Sequence, residues 1–473
     1  MRLRSLVESA RALAPAHEWD VVGADVDPDV TGLRLDSRRV TPGDLFFCVP
    51  GEVTDGHRFG ADAVAAGAVA LLVEHELDLP VPQIKVTSAR PAMAWLSVAY
   101  HGRPSDRLEV VGITGTNGKT TTAHLVQAIL QSAGRTTAVL GTLTGARTTP
   151  EAPHLQQTFA SLAADGTEAV AMEVSSHALD QDRVTGTDFD VGVFTNLSAD
   201  HLDYHGTFER YFEAKARLFA PDMVRAAVIN TDDPRGQELF ERADVPVVGY
   251  SRSMATDVDL RMDHTSFTWR GRRVDLALPG LFNLENAIAA AEAVRLLGLD
   301  DDVIAAGLTE ADPVRGRFEV VAGMADAQAT VIVDYSHTPA GIEQVLRSVR
   351  EISPDAEVCI VFGAGGDRDK EKRPLMGQAA MAADHLVVTS DNPRSENPQR
   401  IIDDIVAGIA RHDRVQVEVD RRAAIAIALS SHGPGDVVVV AGKGHETTQT
   451  IGDEVLDFDD RAVVRELIQE AGA

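Results

Sequence analysis

Short apolar runs of strand length alternate along the chain with stretches whose apolar positions recur every three or four residues. Up to about residue 105, the runs Asp44 to Val49 and Ala68 to Val73 read as strands, and a helix-patterned stretch, PAMAWLSVAY, follows before Pro104 breaks it. From Leu108 the order is strand LEVVGITG, a glycine-rich turn, a helix from about Thr120, strand TAVLGT, helix HLQQTFASLAA, strand EAVAMEVSS, strand VGVFTNL, helix FERYFEAKARLF and strand AAVIN. This segment closes in the alanine-rich helix ENAIAAAEAVRLLG, with Gly298 placed as a terminating glycine. A third alternation starts near Val320, with strands ATVIVDYSH, EVCIVFGAGG, HLVVTSD, VQVEV and DVVVVAGKG separated by helices PAGIEQVLRSVREI, RPLMGQAAMAA, QRIIDDIVAGIA and RRAAIAIAL.

That order predicts an α/β protein of three domains, 1–106, 107–314 and 315–473, the last two built on doubly wound parallel sheets. Ligands of such sheets bind beyond the carboxyl ends of the strands. GAGGDRDK, SDNPRSEN and AGKGHE each follow a strand, so they converge on one sheet edge.

Composition changes this picture little. Of 473 residues 44% are hydrophobic and 25% charged, so there is apolar material for several buried cores and no reason to expect wholesale disorder. Cys48 and Cys359 lie far apart among apolar neighbours, which reads as two buried free thiols rather than a disulfide or zinc framework. No segment has the roughly 18 consecutive apolar residues of a membrane span, and the N-terminus lacks a signal-peptide core, so a cytoplasmic protein is expected. Against 44 basic residues stand 72 acidic ones, a net charge of −28 that repels nucleic acid and anionic membranes. A phosphate ligand therefore needs a local cluster of amides and basic side chains.

Gly112 to Thr120, GITGTNGKT, supplies one between a strand and a helix. Gly115, Thr116, Asn117, Gly118, Lys119, Thr120 and Thr121 can wrap a triphosphate with backbone amides and a helix N-terminus, Lys119 reaching the β/γ-phosphates and Thr120 the magnesium. Ile113 stands where the strict phosphate-loop pattern has glycine, so this is a variant. Glu173 ends a strand in AMEVSSH, where a carboxylate can hold magnesium, and His201 follows another strand in NLSADHLDYH. No Ser-His-Asp or Cys-His nucleophile is evident.

GTNGKT, followed at near-continuous spacing by EVSSHALDQDRV, FTNLSADHLDYHG and YFEAKARLF, resembles the Mur ligases, ATP-dependent amide-forming enzymes of peptidoglycan synthesis. The loop alone also fits folylpolyglutamate and cyanophycin synthetases. The resemblance implies a small N-terminal UDP-binding domain, a central phosphate-loop ATPase domain and a C-terminal Rossmann-like domain. It implies that Lys215, otherwise an ordinary helical lysine, is carbamylated to an N6-carboxylysine that with Thr120, Glu173 and His201 positions magnesium. It also places Asn283 and Asn286 near adenine, Arg317 on phosphate and Asp334 on ribose.

The motif order most resembles the MurE type. LRLDSRRVTPGDLFFCVPG matches its uridine-nucleotide module, which implies that Leu35, Ser37, Glu52, Val53 and Thr54 contact the UDP-sugar, and Thr148, Thr149, Ser175, Gln181 and Arg183 the muramoyl-dipeptide. Asp391-Asn392-Pro393-Arg394 resembles the form that selects meso-2,6-diaminopimelate over L-lysine, with Arg368, Gly442 and Glu446 completing the pocket. The physics agrees, because diaminopimelate carries a far carboxylate that an arginine fork can hold with two charged hydrogen bonds. The implied reaction joins diaminopimelate to the D-glutamate γ-carboxylate of UDP-N-acetylmuramoyl-L-alanyl-D-glutamate through an acyl phosphate, by a monomer with small-molecule partners only. The alternatives are a Mur-like ligase for L-lysine or another diamino acid, a folylpolyglutamate synthetase, or a phosphate-loop regulatory NTPase. Ser336, where the family usually has alanine, and a short stretch between Thr142 and Thr148 are departures from the pattern.

Overall fold

The computed structural model describes residues 1–23, 25–51, 54–145, 147–322, 329–410 and 412–472. The first sheet runs in the order Asp20–Val22, Gln83–Lys85, Ala70–Val73, Asp44–Phe47, Gly32–Arg34, with one antiparallel pair at the Asp20 edge and parallel pairs elsewhere. Its strands alternate with period two: Leu45, Phe47 and Leu72 pack on the helices Leu3–Leu13 and Ala89–His101, while Phe46, Leu71 and Val73 join Cys48 on the other face. The second helix stops before Pro104: Gly102 (φ +67) and Arg103 (φ +54) turn left-handed, and Pro104 opens the next short turn.

The central sheet is wholly parallel, in the order Val247–Tyr250, Val224–Asn230, Phe189–Phe194, Glu109–Thr114, Ala169–Glu173, Thr137–Leu140. Its strands are apolar on both faces because helices cover both, Val111 and Ile113 facing one core and Val110 and Phe194 the other. The helix Leu281–Leu296 is buried nearly all round and ends at Leu297, with Gly298 (φ +88) just beyond. A three-stranded antiparallel sheet, Ala255–Leu260, Thr265–Trp269, Arg272–Leu276, covers that helix with Phe267, Trp269, Val274 and Leu276. The sequence pattern did not predict it: the hairpin turns at Arg270 (φ +48) and Gly271 (φ +77), where Arg-Gly replaces the usual Asn-Gly signal.

The third sheet has the order Glu319–Ala322, Thr330–Asp334, Val437–Ala441, Val358–Phe362, His385–Val388, Val415–Val417, parallel except for its first strand. That antiparallel edge, a hairpin of Thr448–Ile451 with Glu454–Asp457, and the closing helix Asp460–Gly472 add to the expected alternation. Cys48 and Cys359 are buried free thiols. Among the described residues no helix is long and apolar enough to cross a membrane.

Candidate active site

The glycine loop lies where the central strand Glu109–Thr114 has neighbours whose connections leave in opposite directions, the usual ligand crevice of such sheets. Gly115 has φ +146 and passes so close to the strand ending at Phe194 that a Cβ would sit 1.9 Å from Thr195 Oγ1. The loop is pinned from that side by Asn196, whose carbonyl accepts from Thr116 N (2.8 Å) and whose side chain accepts from Asn117 N (3.0 Å). Lys119 folds back over the loop, donating to Gly115 O (2.9 Å) and Thr116 O (2.7 Å). The helix Lys119–Ser132 then presents first-turn amides that have no partner within the helix.

Beyond this loop opens a cavity of about 260 Å³, walled by the central and C-terminal units together. Glu173 enters from its strand end, fully buried, accepting from Thr120 Oγ1 (3.0 Å), Thr142 N (2.8 Å) and Thr142 Oγ1 (3.2 Å). Lys215 enters from the helix Phe208–Ala216, whose start is capped by Thr207 accepting from Arg210 N. Its Nζ donates to Gly115 O (2.8 Å) and lies 4.6 Å above the Tyr211 ring. Burial first, and then the charge of Lys119, pull the Lys215 amine well below the usual lysine range.

His201 has φ +54 at the start of the short helix Leu202–His205, its Nε2 3.5 Å from Asp200 Oδ2, and burial pulls the ring down to about 4 against that carboxylate. From the C-terminal unit, Arg317 stacks on Tyr335 (4.2 Å to the ring centroid) and donates to Thr120 Oγ1 (3.2 Å). Its other terminal nitrogen is buried with no partner, a donor aimed into the cavity wall that suits an oxyanion.

Thr116, Asn117, Gly118, Thr120, Thr121 and Asn286 also line this cavity, as do Thr148 and Ser175. Asn283 does not: it is buried behind Asn286, donating to Pro279 O (2.8 Å) and accepting from Asn286 Nδ2 (3.4 Å). Asp334 lines the cavity, but its carboxylate accepts from Phe318 N (2.7 Å), Ser336 N (2.8 Å) and the Ser336 hydroxyl. Thr149 sits behind Ser175, bridging Glu173 O (2.9 Å) and Ser175 N (3.0 Å), and Arg183 donates to Thr149 O (3.1 Å) and Gln181 Oε1 (2.6 Å). Leu35, Ser37 and Thr54 belong to the N-terminal unit and do not line the cavity; Glu52 and Val53 lie outside the described residues.

The third group forms a separate cluster on the C-terminal unit. Arg394 takes φ +51, donates its backbone N–H to Thr450 O (3.0 Å) in a strand-like bond and points its guanidinium at Gly366 O (2.5 Å). A Cβ on Gly365 would contact both Arg394 and the exposed Arg368, so the two arginines flank that glycine. Asn392 donates to Glu446 Oε2 (2.7 Å), and Asp391 lies against Gly442, where a Cβ would meet its carboxylate at 2.5 Å. Lys443, buried, ties the cluster by reaching Glu446 (3.3 Å) and Thr448 O (2.6 Å). Sequence reasoning passed over Lys443, Asn196 and Tyr211 although each stands inside a quoted motif, because their work is to hold the backbone and side chains of other motif residues.

Two imidazoles near the cavity give it an acid limit. Burial, then His177, holds His205 at about 4, and burial, then Arg317, does the same for His445, against an ordinary 6.5. The unfolded chain takes up protons between those values that the folded chain refuses, so stability is full above about pH 6.5 and falls as the pH drops toward 4. Urea midpoints are expected to be lower at about pH 5 than at about pH 7, and His205→Gln to lessen that difference.

A glycine loop on a parallel sheet, with a buried carboxylate, a buried lysine and an arginine supplied by a second unit, defines a phosphate-loop nucleotide-binding α/β enzyme. Three family models match the chain: "Mur ligase family, catalytic domain" over residues 29–101, "Mur ligase middle domain" over 113–294, and "Mur ligase, glutamate ligase domain" over 316–444. The UDP-N-acetylmuramoyl-L-alanyl-D-glutamate--2,6-diaminopimelate ligase of Geobacillus kaustophilus is 45% identical over 473 residues, covering 94% of this chain and 96% of that protein. A solved structure carrying the same enzyme name is 33% identical, with a TM-score of 0.66 over 98% of this chain and 99% of that one. A MurF ligase of Thermotoga maritima in complex with ADP shares the fold at 21% identity, with a TM-score of 0.63 over 93% and 96%. The chain belongs to the Mur ligase family.

Proposed function

We propose that the chain joins meso-2,6-diaminopimelate to the D-glutamate γ-carboxylate of UDP-N-acetylmuramoyl-L-alanyl-D-glutamate, using ATP, in peptidoglycan precursor synthesis. The observation that carries the reading is the meeting of Arg317 with Thr120 over a cavity that also holds Glu173 and Lys215. The γ-carboxylate oxygen attacks the γ-phosphorus, ADP leaves, and the resulting acyl phosphate is attacked by the amine of diaminopimelate, which expels inorganic phosphate and loses a proton. In this reading Lys119 and Arg317 hold the phosphates, Asp334 the ribose, and Asn286 the adenine, with Asn283 bracing it. Thr148 and Ser175 face the dipeptide, positioned by Thr149, Gln181 and Arg183, while the UDP-sugar lies along the N-terminal unit.

The donor set fits magnesium: a buried carboxylate and a hydroxyl already 3.0 Å apart are hard oxygen ligands. Thr120, Glu173, His201 and Lys215 as its carbamate would hold the ion, which offsets repulsion between carboxylate and phosphate. The downward shift of the Lys215 amine supports that modification, since only an unprotonated lone pair can add to CO2. Domain limits of 1–106, 107–314 and 315–473 leave each of the three main sheets whole.

Phosphate release with ATP, magnesium and the UDP-dipeptide is expected only when diaminopimelate is present. Release with L-lysine would keep the ligase and overturn the selectivity; release indifferent to any acceptor would favour a regulatory NTPase. Arg394→Ala is expected to lower kcat/KM for diaminopimelate by roughly 10²-fold or more, as the loss of a charged two-point contact does, with ATP binding unchanged.

A further inference from the structure

At the opposite end of the C-terminal sheet from the nucleotide cavity, three metal-ligating side chains from separate elements converge. Glu357 precedes the strand Val358–Phe362, His385 begins the neighbouring strand His385–Val388, and His432 follows the helix Arg421–Ser431 that returns to this end. One ligand atom from each lies within 4.8 Å of the others. We infer that Glu357, His385 and His432 form a binding site for a divalent transition-metal ion of the zinc class.

Three features carry it. His385 Nε2 and Glu357 Oε2 are 3.2 Å apart, while tetrahedral coordination with bonds near 2.1 Å places neighbouring ligand atoms about 3.4 Å apart. His432 Nδ1 lies 2.8 Å from the Ala428 carbonyl, so that nitrogen carries the proton and Nε2 keeps the lone pair a metal needs. A backbone carbonyl behind a ligating imidazole is the usual outer support of such sites. Two imidazoles and one carboxylate suit zinc and its neighbours rather than magnesium, and three protein ligands leave room for water or a fourth group.

The surroundings permit this. A cavity of about 90 Å³ beside the histidines is lined by Asp413, a further carboxylate, and by Arg414, the one nearby cation among its described lining residues. Cys359, a buried free thiol, lines it too. An ion here would tether two strand starts and a helix end, and would bind the folded chain far better than the unfolded one. Strands of five and four residues, Val358–Phe362 and His385–Val388, separate it from the opposite sheet end by roughly 15 Å.

The test is a Zn2+ titration of the full chain with magnesium and ADP present to fill the nucleotide cavity, read by competition with a chromophoric chelator and by the thermal midpoint. One equivalent is expected to bind and raise the midpoint, and His432→Ala and His385→Asn each to weaken binding at least about tenfold and remove the rise. Ligase activity with magnesium should be unchanged in both variants. Equal Zn2+ affinity in the variants and the parent, or no binding at millimolar Zn2+, overturns the site.

Discussion

Lys215→Met is expected to lower kcat by roughly 10²- to 10³-fold, the loss that follows removal of one preorganised charge-stabilising group, while ATP binding stays within a few-fold. Lys215 is buried against Gly115 O and the Tyr211 ring, and burial, then the neighbouring Lys119, weakens the hold of its amine on a proton. Addition of the unprotonated amine's lone pair to CO2, with loss of a proton, would place a second carboxylate beside that of Glu173. Methionine keeps the apolar stem and its packing but cannot make this change, so the variant separates the reaction from the fold. Lys215→Arg tests the same step differently, because a guanidinium stays charged and takes up no CO2. Intact-protein mass in bicarbonate buffer should show one added CO2 on the parent and none on either variant. Activity of Lys215→Met within a few-fold of the parent would remove Lys215 from the mechanism.

The alternation of apolar runs was enough to anticipate both larger sheets, because parallel strands covered on both faces are nearly continuous in Val, Ile and Ala. It missed the antiparallel hairpin at Arg270 and Gly271, where the turn residues carry no strong signal and tertiary packing of Trp269 does the work. The phosphate loop was legible from residue types alone, since Gly115 and Gly118 occupy positive φ and close approaches that only glycine meets. Lys215 was legible only through the family resemblance: nothing in FEAKARLF says that this lysine is buried or faces another cation. Asn283 shows the converse, a motif residue whose side chain turns inward to brace its neighbour. The Glu357, His385 and His432 cluster had no sequence signal at all, because its members are brought together by strand register, His385 pairing with Cys359, and by the length of a helix.

Asp460→Ala is expected to destabilise the C-terminal unit by about 3–5 kcal/mol, the usual cost of leaving one member of a buried ion pair alone. Arg421 and Asp460 are both fully buried and joined by two bonds, Nε to Oδ1 at 2.7 Å and Nη2 to Oδ2 at 2.8 Å. The guanidinium also donates to Ser390 O (3.3 Å) and Ala441 O (2.9 Å). Those carbonyls stand directly before Asp391-Asn392-Pro393-Arg394 and before Gly442-Lys443, so one charged fork fixes two strand ends that carry the proposed diaminopimelate pocket. With Asp460 gone the cation has carbonyls but no counter-charge, and the helix Asp460–Gly472 loses its anchor. A double variant, Arg421→Met with Asp460→Leu, removes both charges and should recover part of the stability, since paired apolar replacements of buried ion pairs are often tolerated. Its two carbonyls then lack their donor, so KM for diaminopimelate should remain raised while ATP binding, seated mainly on the central unit, is unaffected. Urea unfolding followed on the C-terminal transition checks the first expectation, and a KM comparison at saturating ATP checks the second. An Asp460→Ala protein within about 1 kcal/mol of the parent would mean that water reaches Arg421 and that the pair is not the clamp described.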